Sequence, residues 1–269
     1  MTDLKTGLGE AQIERYARHI VLQEVGGVGQ EKLLRAKVLV VGAGGLGSPL
    51  LMYLAAAGVG TIGVVDDDLV SLSNLQRQIA HGTPDIGRAK VESGRDRAAA
   101  LNPDVTYRPY QMRVNPGNVM DLLADYDIIA DGSDNFDTRF LLNDACYLAK
   151  KTLVSAAVLR FDGQLSTYKA YQGPPHPCYR CIFPEPPPEG AIPSCSQGGV
   201  LGAMAGIMGT MQATEVLKEI LGLGQSMSGR LLIPDGLAGE VRTIRVKPDP
   251  SCALCGESPS IHDLKAHEA

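Results

Sequence analysis

Residues 42–47 have the sequence Gly-Ala-Gly-Gly-Leu-Gly and lie between an apolar run, residues 37–41, and a stretch of helix-forming residues. A second apolar run, residues 61–65, is followed directly by Asp66. Strand, glycine turn, helix, strand and acid in this order predict a nucleotide site, because glycine lets the backbone approach phosphates and the acid can bind a ribose hydroxyl. The helix after the turn also directs free N–H groups at a bound phosphate.

Two other interpretations fit the glycine turn when it is considered alone. Gly42, Gly44 and Gly47 match the fingerprint G-x-G-x-x-G of nicotinamide- or flavin-dependent oxidoreductases, and a tight turn without a ligand has the same composition. Arg77 and Lys90 favour a triphosphate, because arginine can grip a phosphate with two N–H groups and lysine adds a point charge. Either cation alone is more often a surface residue, so the prediction depends on their combination with the turn.

Length and charge exclude several classes of function. A chain of 269 residues can form one large domain with a sizeable core, or one domain with a small appendage. A net charge of −5 argues against binding nucleic acid by bulk electrostatics. Residues 1–5 lack the pattern of a signal peptide, and the longest apolar and glycine run, residues 198–209, is too short to span a bilayer. We therefore expect a cytoplasmic protein that binds neither nucleic acid nor membrane.

Short apolar runs alternate with amphipathic stretches through the first part of the chain. This alternation predicts a Rossmann-like α/β fold, with a mostly parallel sheet covered by helices on both faces. The expected strands are residues 37–41, 61–65, 105–110, 127–130 and 152–157. The expected helices are residues 10–23, 30–35, 45–57, 87–101, 117–124 and 135–149.

The pattern changes after residue 160 and predicts an antiparallel extension. Residues 163–171 alternate like an exposed antiparallel strand, and residues 230–233 and 240–246 suggest a hairpin or meander that Pro234 should end early. A proline-rich loop at residues 173–194 and a helix at residues 200–221 lie between them. We expect three parts: N-terminal helices (1–35), a main domain (36–256) and a flexible tail (257–269).

Acidic residues follow two of the expected strands and therefore meet at the carboxyl edge of the sheet. A carboxylate there, facing several phosphates, is a natural magnesium ligand, and we assign this role to Asp134. Asp131 could instead cap the following helix. Asp67 and Asp68 could be a solvated strand end, or one of them could orient Arg77 or a metal ion.

Four of the six cysteines form two C-x-x-C pairs: Cys178 with Cys181, and Cys252 with Cys255. Four thiolates satisfy tetrahedral zinc without leaving an open position, so the pattern predicts a structural zinc site that fixes the proline-rich loop to the chain end. Two redox dithiols or unbound thiols are the alternatives. Cys146 lies on an apolar helix face, where a buried structural residue is expected, and Cys195 precedes a helix start that could lower its pKa.

With these motifs in view, the chain resembles the MoeB/ThiF family, prokaryotic adenylyltransferases that activate ubiquitin-fold sulfur-carrier proteins. The molybdopterin branch is the nearest in pattern and the thiazole branch is second. The resemblance covers about residues 14–256, nearly the whole chain. It rests on residues 15–18, the glycine turn, residues 66–78, residues 87–90, residues 131–135 and both cysteine pairs.

The resemblance implies a role for each matched residue. Gly45 would lie at the nucleotide phosphates, and Asp66 would bind the ribose. Asn74, Arg77 and Lys90 would contact the triphosphate of ATP, and Asp134 would organise Mg²⁺. The complete set expected to bind the nucleotide is Gly42, Gly44, Gly45, Gly47, Asp66, Asp68, Ser73, Asn74, Leu75, Gln76, Arg77, Gln78, Lys90, Asp134 and Asn135.

Further residues acquire roles only through the resemblance. Arg18 matches an arginine that enters the neighbouring subunit's site, which implies a homodimer with composite active sites. Cys178, Cys181, Cys252 and Cys255 match the family's zinc ligands. Cys195 matches a cysteine that can bond the carrier's activated end in some relatives and is dispensable in others. The expected catalytic set is Arg18, Arg77, Lys90, Asp134 and Cys195.

The implied reaction is adenylation of the C-terminal glycine of a sulfur carrier that ends in Gly-Gly, which prepares the carrier for thiocarboxylate formation in molybdenum cofactor biosynthesis. Activation of the thiamine-pathway carrier is the alternative within the family. No rhodanese-like sequence follows residue 269, so we expect a separate sulfur donor, either a cysteine desulfurase or a rhodanese-like protein. Two other classes stay open: an oxidoreductase, which leaves Asn74, Arg77, Lys90 and the cysteine pairs unexplained, and a scaffold without activity.

Overall fold

The structure is a computed structural model that describes residues 7–188, 190–191 and 195–268, with the backbone alone at residues 195 and 196. Its described strands form one eight-stranded sheet in the order β3-β2-β1-β4-β5-β6-β7-β8. The first five strands of this order are parallel and the last three are antiparallel. The strands are β1 (Lys37–Val41), β2 (Thr61–Val65), β3 (Thr106–Tyr110), β4 (Ile128–Asp131), β5 (Thr152–Leu159), β6 (Asp162–Tyr168), β7 (Arg230–Asp235) and β8 (Glu240–Arg245).

Helices cover both faces of the parallel part, as the alternating pattern predicts. They are α1 (Glu10–Arg15), α2 (Ala17–Ile20), α3 (Gly26–Arg35), α4 (Gly47–Ala57), α5 (Lys90–Leu101), α6 (Val119–Ala124), α7 (Phe136–Leu148), α8 (Cys195–Gly198) and α9 (Gly202–Leu221). In β1, Val38 and Val40 pack with α4, α5 and α9, whereas Leu39 and Val41 pack with α6 and α7. Successive strand residues point to opposite faces, which divides the core into two layers. The expected mostly parallel α/β fold is confirmed.

The strand order places a topological switch point at β1. This strand pairs with β2 on one side and with β4 on the other, and the register aligns Val41 with both Val65 and Asp131. The segments that follow the three strands therefore emerge at one edge of the sheet. In open α/β sheets this carboxyl edge is where ligands bind.

Two expectations for the antiparallel part were wrong. Strand β6 is mostly buried rather than exposed, because β5 and β7 flank it and α9 covers it. Strand β7 continues through Pro234, which pairs in register with Val241 of β8. Proline lacks an N–H and cannot donate a hydrogen bond to a neighbouring strand. Strand β7 accommodates it because the pairs between β6 and β7 are Leu165 with Leu232 and Asp162 with Asp235, and Pro234 is in neither of them.

The expected continuous helix at residues 10–23 was also wrong, because the chain breaks at Tyr16 between α1 and α2. Tyr16 is 2% exposed, and its hydroxyl accepts a hydrogen bond from Nδ2 of Asn102 at 2.9 Å. A side chain on Gly58 would overlap the ring of Tyr16. The ring is thus inserted between α4 and α5, and this insertion turns the chain away from a straight helix.

The segment 257–268 contacts the body of the protein, which differs from the frayed tail expected there. The backbone N–H groups of Ser260 and Ile261 both donate to the carbonyl of Ala253, at 2.8 and 2.9 Å. Leu264 packs against the core beside α7. None of the described helices combines the length and apolar character that a membrane crossing requires.

Candidate nucleotide site and cysteine cluster

The glycine turn connects β1 to α4 at the switch point, and two of its glycines are required by the backbone itself. Gly42 has a positive φ of 92°, and a Cβ atom there would lie 2.9 Å from the carbonyl oxygen of Gly132. A Cβ atom on Gly47 would overlap the carbonyl oxygen of Gly42. The turn can therefore close tightly against the loop that follows β4 only with glycine at both positions.

Asp66 holds the glycine turn through its carboxylate. Its Oδ2 accepts a hydrogen bond from the backbone N–H of Ala43 at 2.7 Å, and its Oδ1 accepts from the N–H of Asp68 at 2.9 Å. Burial raises the pKa of Asp66, and the nearby charge of Lys90 opposes that shift. Each carboxylate oxygen can accept more than one hydrogen bond, so the ribose contact predicted for Asp66 stays compatible with these bonds.

Lys90 is the first residue of α5 and is 5% exposed. Its Nζ donates to Oδ2 of Asp68 at 2.6 Å, and the Asp68 side chain is largely exposed. A buried ammonium needs a charge partner, and here Asp68 is the partner that the structure provides. The predicted contact of Lys90 with a triphosphate remains a prediction.

The segment between β2 and α5 is organised by local hydrogen bonds. Nη1 of Arg77 donates to the carbonyl of Ser73 at 3.1 Å, and Oδ1 of Asn74 accepts from the N–H of Ser71 at 3.2 Å. The aliphatic part of Arg77 lies against Gly45, with its Cγ 3.5 Å from the position that a Cβ atom on Gly45 would occupy. The predicted cation is thus brought to the glycine turn.

Two further members of the predicted set border this contact. Gln78 is 4% exposed, lies beside Gly44, and has no partner for its Oε1 among the described residues. The carbonyl of Gln76 packs against Gly202 at the start of α9, while the Leu75 side chain is half-buried. The segment is therefore fixed between the turn and α9.

The polar residues at the end of β4 and in the loop after it are of two kinds: some are buried and hydrogen-bonded, and others are exposed. Asp131 is fully buried and accepts hydrogen bonds from Oγ of Ser133 at 2.6 Å and Oγ of Ser155 at 2.7 Å. The suggestion that Asp131 caps the next helix was wrong, because Asn135 is the cap and accepts from the N–H of Thr138 at 2.9 Å. Asp134 is exposed, and no described residue forms a hydrogen bond or ion pair with its carboxylate.

Arg18 does not join this group within a single chain. It lies on α2, next to His19, whose Nδ1 is 3.0 Å from Oε1 of Gln30. Nε2 of Gln30 donates to the carbonyl of Ala57, the last residue of α4. Because α4 begins at the glycine turn and is about 16 Å long, this anchor is at the far end of the helix from the turn. Arg18 is exposed, and its side chain has no partner within the part of the chain that the structure describes.

Both cysteine pairs meet in one cluster, as predicted. The Sγ of Cys178 lies 3.8 Å from Cys181, 3.5 Å from Cys252 and 3.4 Å from Cys255, and the Sγ atoms of Cys181 and Cys255 are 3.4 Å apart. Tetrahedral zinc with Zn–S distances of about 2.3 Å requires sulfur atoms about 3.8 Å apart. The four Sγ atoms can each offer one ligand to a single ion, so this donor set fits a divalent metal ion.

A buried ion pair that has no signal in the sequence anchors the cysteine cluster to α7. Nε and Nη2 of Arg180 donate to the two carboxylate oxygens of Asp144 at 2.8 and 2.7 Å. Nε2 of His267 lies 2.8 Å from Oδ2 of the same fully buried carboxylate. Asp144 thus joins the cysteine loop, the core and the C-terminal segment.

The backbone of Cys195 begins the short helix α8, and its side chain lies outside the described part of the structure. The expectation for Cys195 is therefore unchanged. Cys146 is 2% exposed, and burial raises the pKa of its thiol, as expected for a packing residue.

The fold and these two sites define an α/β protein that has a glycine turn at the switch point of its sheet and a cluster of four cysteines. The chain belongs to the ThiF family, whose pattern it matches over residues 16–254. The resemblance drawn from the motifs is thereby confirmed at the level of the family.

Two relatives illustrate the similarity along the sequence. The adenylyltransferase and sulfurtransferase MOCS3 of Bos taurus is 51% identical over 98% of this chain and 58% of its own length. The sulfur carrier protein adenylyltransferase of Thermus thermophilus is 45% identical over 96% of this chain and 96% of its own length. The chain thus spans 58% of the length of the MOCS3 relatives from cattle and pig, and nearly all of the Thermus relative.

Solved structures confirm the fold. The crystal structure of E. coli MccB with ATP matches with a TM-score of 0.79 at 20% identity, over 92% of this chain and 76% of MccB. The structure of PaaA matches with a TM-score of 0.74 at 22% identity, over 89% of this chain and 75% of PaaA.

Proposed function

We propose that this protein uses ATP to adenylate the C-terminal glycine of a ubiquitin-fold sulfur-carrier protein ending in Gly-Gly, in molybdenum cofactor biosynthesis. The carrier's carboxylate attacks the α-phosphorus of ATP, the bond to the β-phosphate oxygen breaks, and an acyl-adenylate and pyrophosphate form. The observation that carries the proposal is that the glycine turn, Asp66 and the loop with Asp134 follow neighbouring strands at one edge of the sheet in a ThiF-family chain. Arg77 lies against Gly45 of this turn, and Lys90 pairs with Asp68.

The chemistry requires positioning and charge stabilisation more than proton transfer. A carboxylate is already ionised at neutral pH, so the attack needs no general base. Negative charge develops on the departing pyrophosphate, and cations held in place before the reaction stabilise it. Arg77, which lies against Gly45, and Lys90, which Asp68 holds at the start of α5, supply such charge in this proposal.

Asp134 is the residue that would hold Mg²⁺. It is exposed beside the turn and free of hydrogen bonds to the described residues, and a carboxylate oxygen is a ligand that Mg²⁺ prefers. When bound, the ion supplies positive charge against the phosphates. The buried hydrogen bonds of Asp131 fix the loop that carries Asp134, so the carboxylate needs little reorganisation.

A homodimer completes the site in this proposal, with Arg18 of one subunit reaching the nucleotide of the other. The anchoring of α2 at the far end of α4 supports a role in the neighbouring site rather than in its own. The name of the Thermus relative specifies a sulfur carrier protein, which supports the proposed partner. A sulfur donor, either a cysteine desulfurase or a rhodanese-like protein, completes the proposed set of partners, and Cys195 is a candidate for a covalent bond to the carrier.

The four-cysteine cluster holds one structural zinc ion in this proposal. Its Sγ distances of 3.4–3.8 Å fit a closed tetrahedral site, which has no open position for catalysis. The ion would join the loop at residues 178–181 to the loop at residues 252–255.

Carrier-dependent exchange of labelled pyrophosphate into ATP tests the proposal. Asp134→Ala and Arg77→Ala should each lower the exchange rate by about 10²–10³, because each removes a preorganised stabiliser of the departing charge. Asp121→Ala on α6 and Arg35→Ala on α3 remove exposed groups of the same type outside the predicted nucleotide set and should leave the rate unchanged. Normal exchange in folded Asp134→Ala and Arg77→Ala proteins would overturn the proposed mechanism.

A further inference from the structure

His81 is a buried histidine behind the glycine turn, and none of the predicted roles includes it. It is 8% exposed, and its Nε2 lies 2.9 Å from the carbonyl oxygen of Ala43. A carbonyl can only accept, so Nε2 carries the proton. Nδ1 of the neutral ring is then the acceptor, and it takes its hydrogen bond from Oγ of Ser93 at 2.9 Å.

Two successive peptide groups of the turn are therefore fixed by side chains. Asp66 accepts from the N–H of Ala43 at 2.7 Å, which fixes the peptide before this residue. His81 donates to the carbonyl of Ala43, which fixes the peptide after it. No other residue of the turn is held by side chains on both its N–H and its C=O within the described structure.

The second of these bonds sets the direction of the Gly44 N–H. The peptide between Ala43 and Gly44 is trans, so its N–H points away from its carbonyl. Because His81 draws the carbonyl inward, the N–H of Gly44 points away from the buried ring. Among the described residues none accepts from this N–H, which leaves it available for a phosphate oxygen.

The same contact connects the turn to α5. Ser93 and Lys90 are three residues apart on this helix and lie on one face of it. Ser93 fixes the orientation of the His81 ring, and Lys90 pairs with Asp68 beside Asp66. The ammonium group of Lys90 and the glycine turn are thus held in fixed positions relative to each other.

We propose that His81 is a positioning residue that aligns the backbone N–H groups of the glycine turn on the phosphates of ATP, with Ser93 fixing the orientation of its ring. This inference rests on the proposed use of ATP at the turn. It assigns His81 to phosphate binding and leaves the adenosine part of the nucleotide to other residues.

Two amide substitutions separate the two hydrogen bonds of the ring. In His81→Asn the amide can reach Ser93 as Nδ1 does, but it is too short to reach Ala43. In His81→Gln the longer amide can place a donor near the position of Nε2. His262→Leu removes an exposed histidine and serves as the control.

The test is the dissociation constant of each folded protein for ATP and for adenosine, measured by titration calorimetry. His81→Asn should bind ATP about tenfold more weakly, which corresponds to a loss of about 1.4 kcal/mol in binding free energy. It should bind adenosine with unchanged affinity. His81→Gln should regain most of the ATP affinity, and His262→Leu should match the wild type. Only a role in phosphate positioning predicts this split between the two ligands.

Three results would overturn the inference: wild-type affinity for ATP in His81→Asn, an equal loss for ATP and adenosine, or no binding of ATP by the wild type. Failure of the proposed adenylation has a different signature, namely wild-type protein that binds ATP normally but shows no carrier-dependent pyrophosphate exchange.

Discussion

At the scale of single residues, the candidate site is held by buried polar side chains that the function does not use directly. Asp131 accepts hydrogen bonds from Ser133 and Ser155, and His81 connects Ala43 to Ser93. A buried polar group that loses its partner costs about 1–3 kcal/mol, so each of these bonds fixes the loop that it holds. The loops that carry Gly44 and Asp134 can therefore present unpaired groups to a ligand without being mobile themselves.

The lowered pKa of His81 predicts a dependence of stability on pH. Burial lowers its pKa, and the positive charge of Lys90 acts in the same direction. The hydrogen bond to the Ala43 carbonyl opposes this shift most, followed by the charges of Asp85 and Asp66. As the pH falls below about 6.5, the ordinary histidine value, the unfolded chain takes up a proton that the folded ring resists. Acidification should therefore lower the free energy of unfolding. The stabilisation that the neutral His81 ring contributes is fully present only above that pH.

The measurement is urea unfolding of the wild type and of His81→Gln between pH 7.5 and pH 5.5. The wild type should lose stability more steeply on acidification, because glutamine does not titrate. Identical slopes for the two proteins would contradict the lowered pKa of the buried ring.

At the scale of elements, the cysteine cluster connects parts of the chain that are far apart in sequence. The loop at residues 178–181 meets the loop at residues 252–255, and Asp144 of α7 pairs with both Arg180 and His267. Burial of Tyr179 and Leu254 and the ion pair between Asp144 and Arg180 hold these loops in place. Removing one partner of such a buried pair typically costs about 3–5 kcal/mol.

The metal prediction follows directly from this arrangement. Purified protein should contain about one zinc ion per chain by elemental analysis, because four thiolates fill one tetrahedral site. Cys178→Ser should lose the zinc and lower the melting temperature, since the loops lose their common anchor. Cys146→Ala removes a buried thiol outside the cluster and should retain the metal. Full zinc content in Cys178→Ser would exclude the assigned site.

At the scale of the whole molecule, the parallel sheet and the position of the site could be predicted because both depend on local pattern. Apolar runs of strand length and the glycine turn at residues 42–47 are visible in the sequence, and the order of strands around β1 then brings Asp66 and Asp134 to one edge. The meeting of the two C-x-x-C pairs could also be predicted, because four thiolates together satisfy the tetrahedral geometry of one zinc ion.

Other features depend on contacts between distant residues and have no local signal. Tyr16 interrupts a helical pattern because its ring fits against Gly58, and β6 is buried because α9 lies over it. His81 and Arg180 belong to residue types that are usually exposed, and only the folded chain shows their partners Ala43 and Asp144. Composition and spacing do not contain that information.

The central claim is that the carboxyl edge of the sheet, completed by Arg18 of a second copy, transfers adenylate to a carrier. Differently tagged subunits carrying Arg18→Ala and Asp134→Ala can be co-expressed and purified as mixed dimers. Each substitution alone should remove most of the carrier-dependent exchange activity. In the mixed dimer one of the two composite sites has no substitution, so about half of the wild-type activity per dimer should return.

A mixed dimer of Arg77→Ala and Asp134→Ala is the matched control, since both of its sites then contain one substitution. Recovery of exchange in the first mixed dimer and none in the second is the result that this account predicts. Equal activity in the two mixed dimers, whether high or absent, would contradict it.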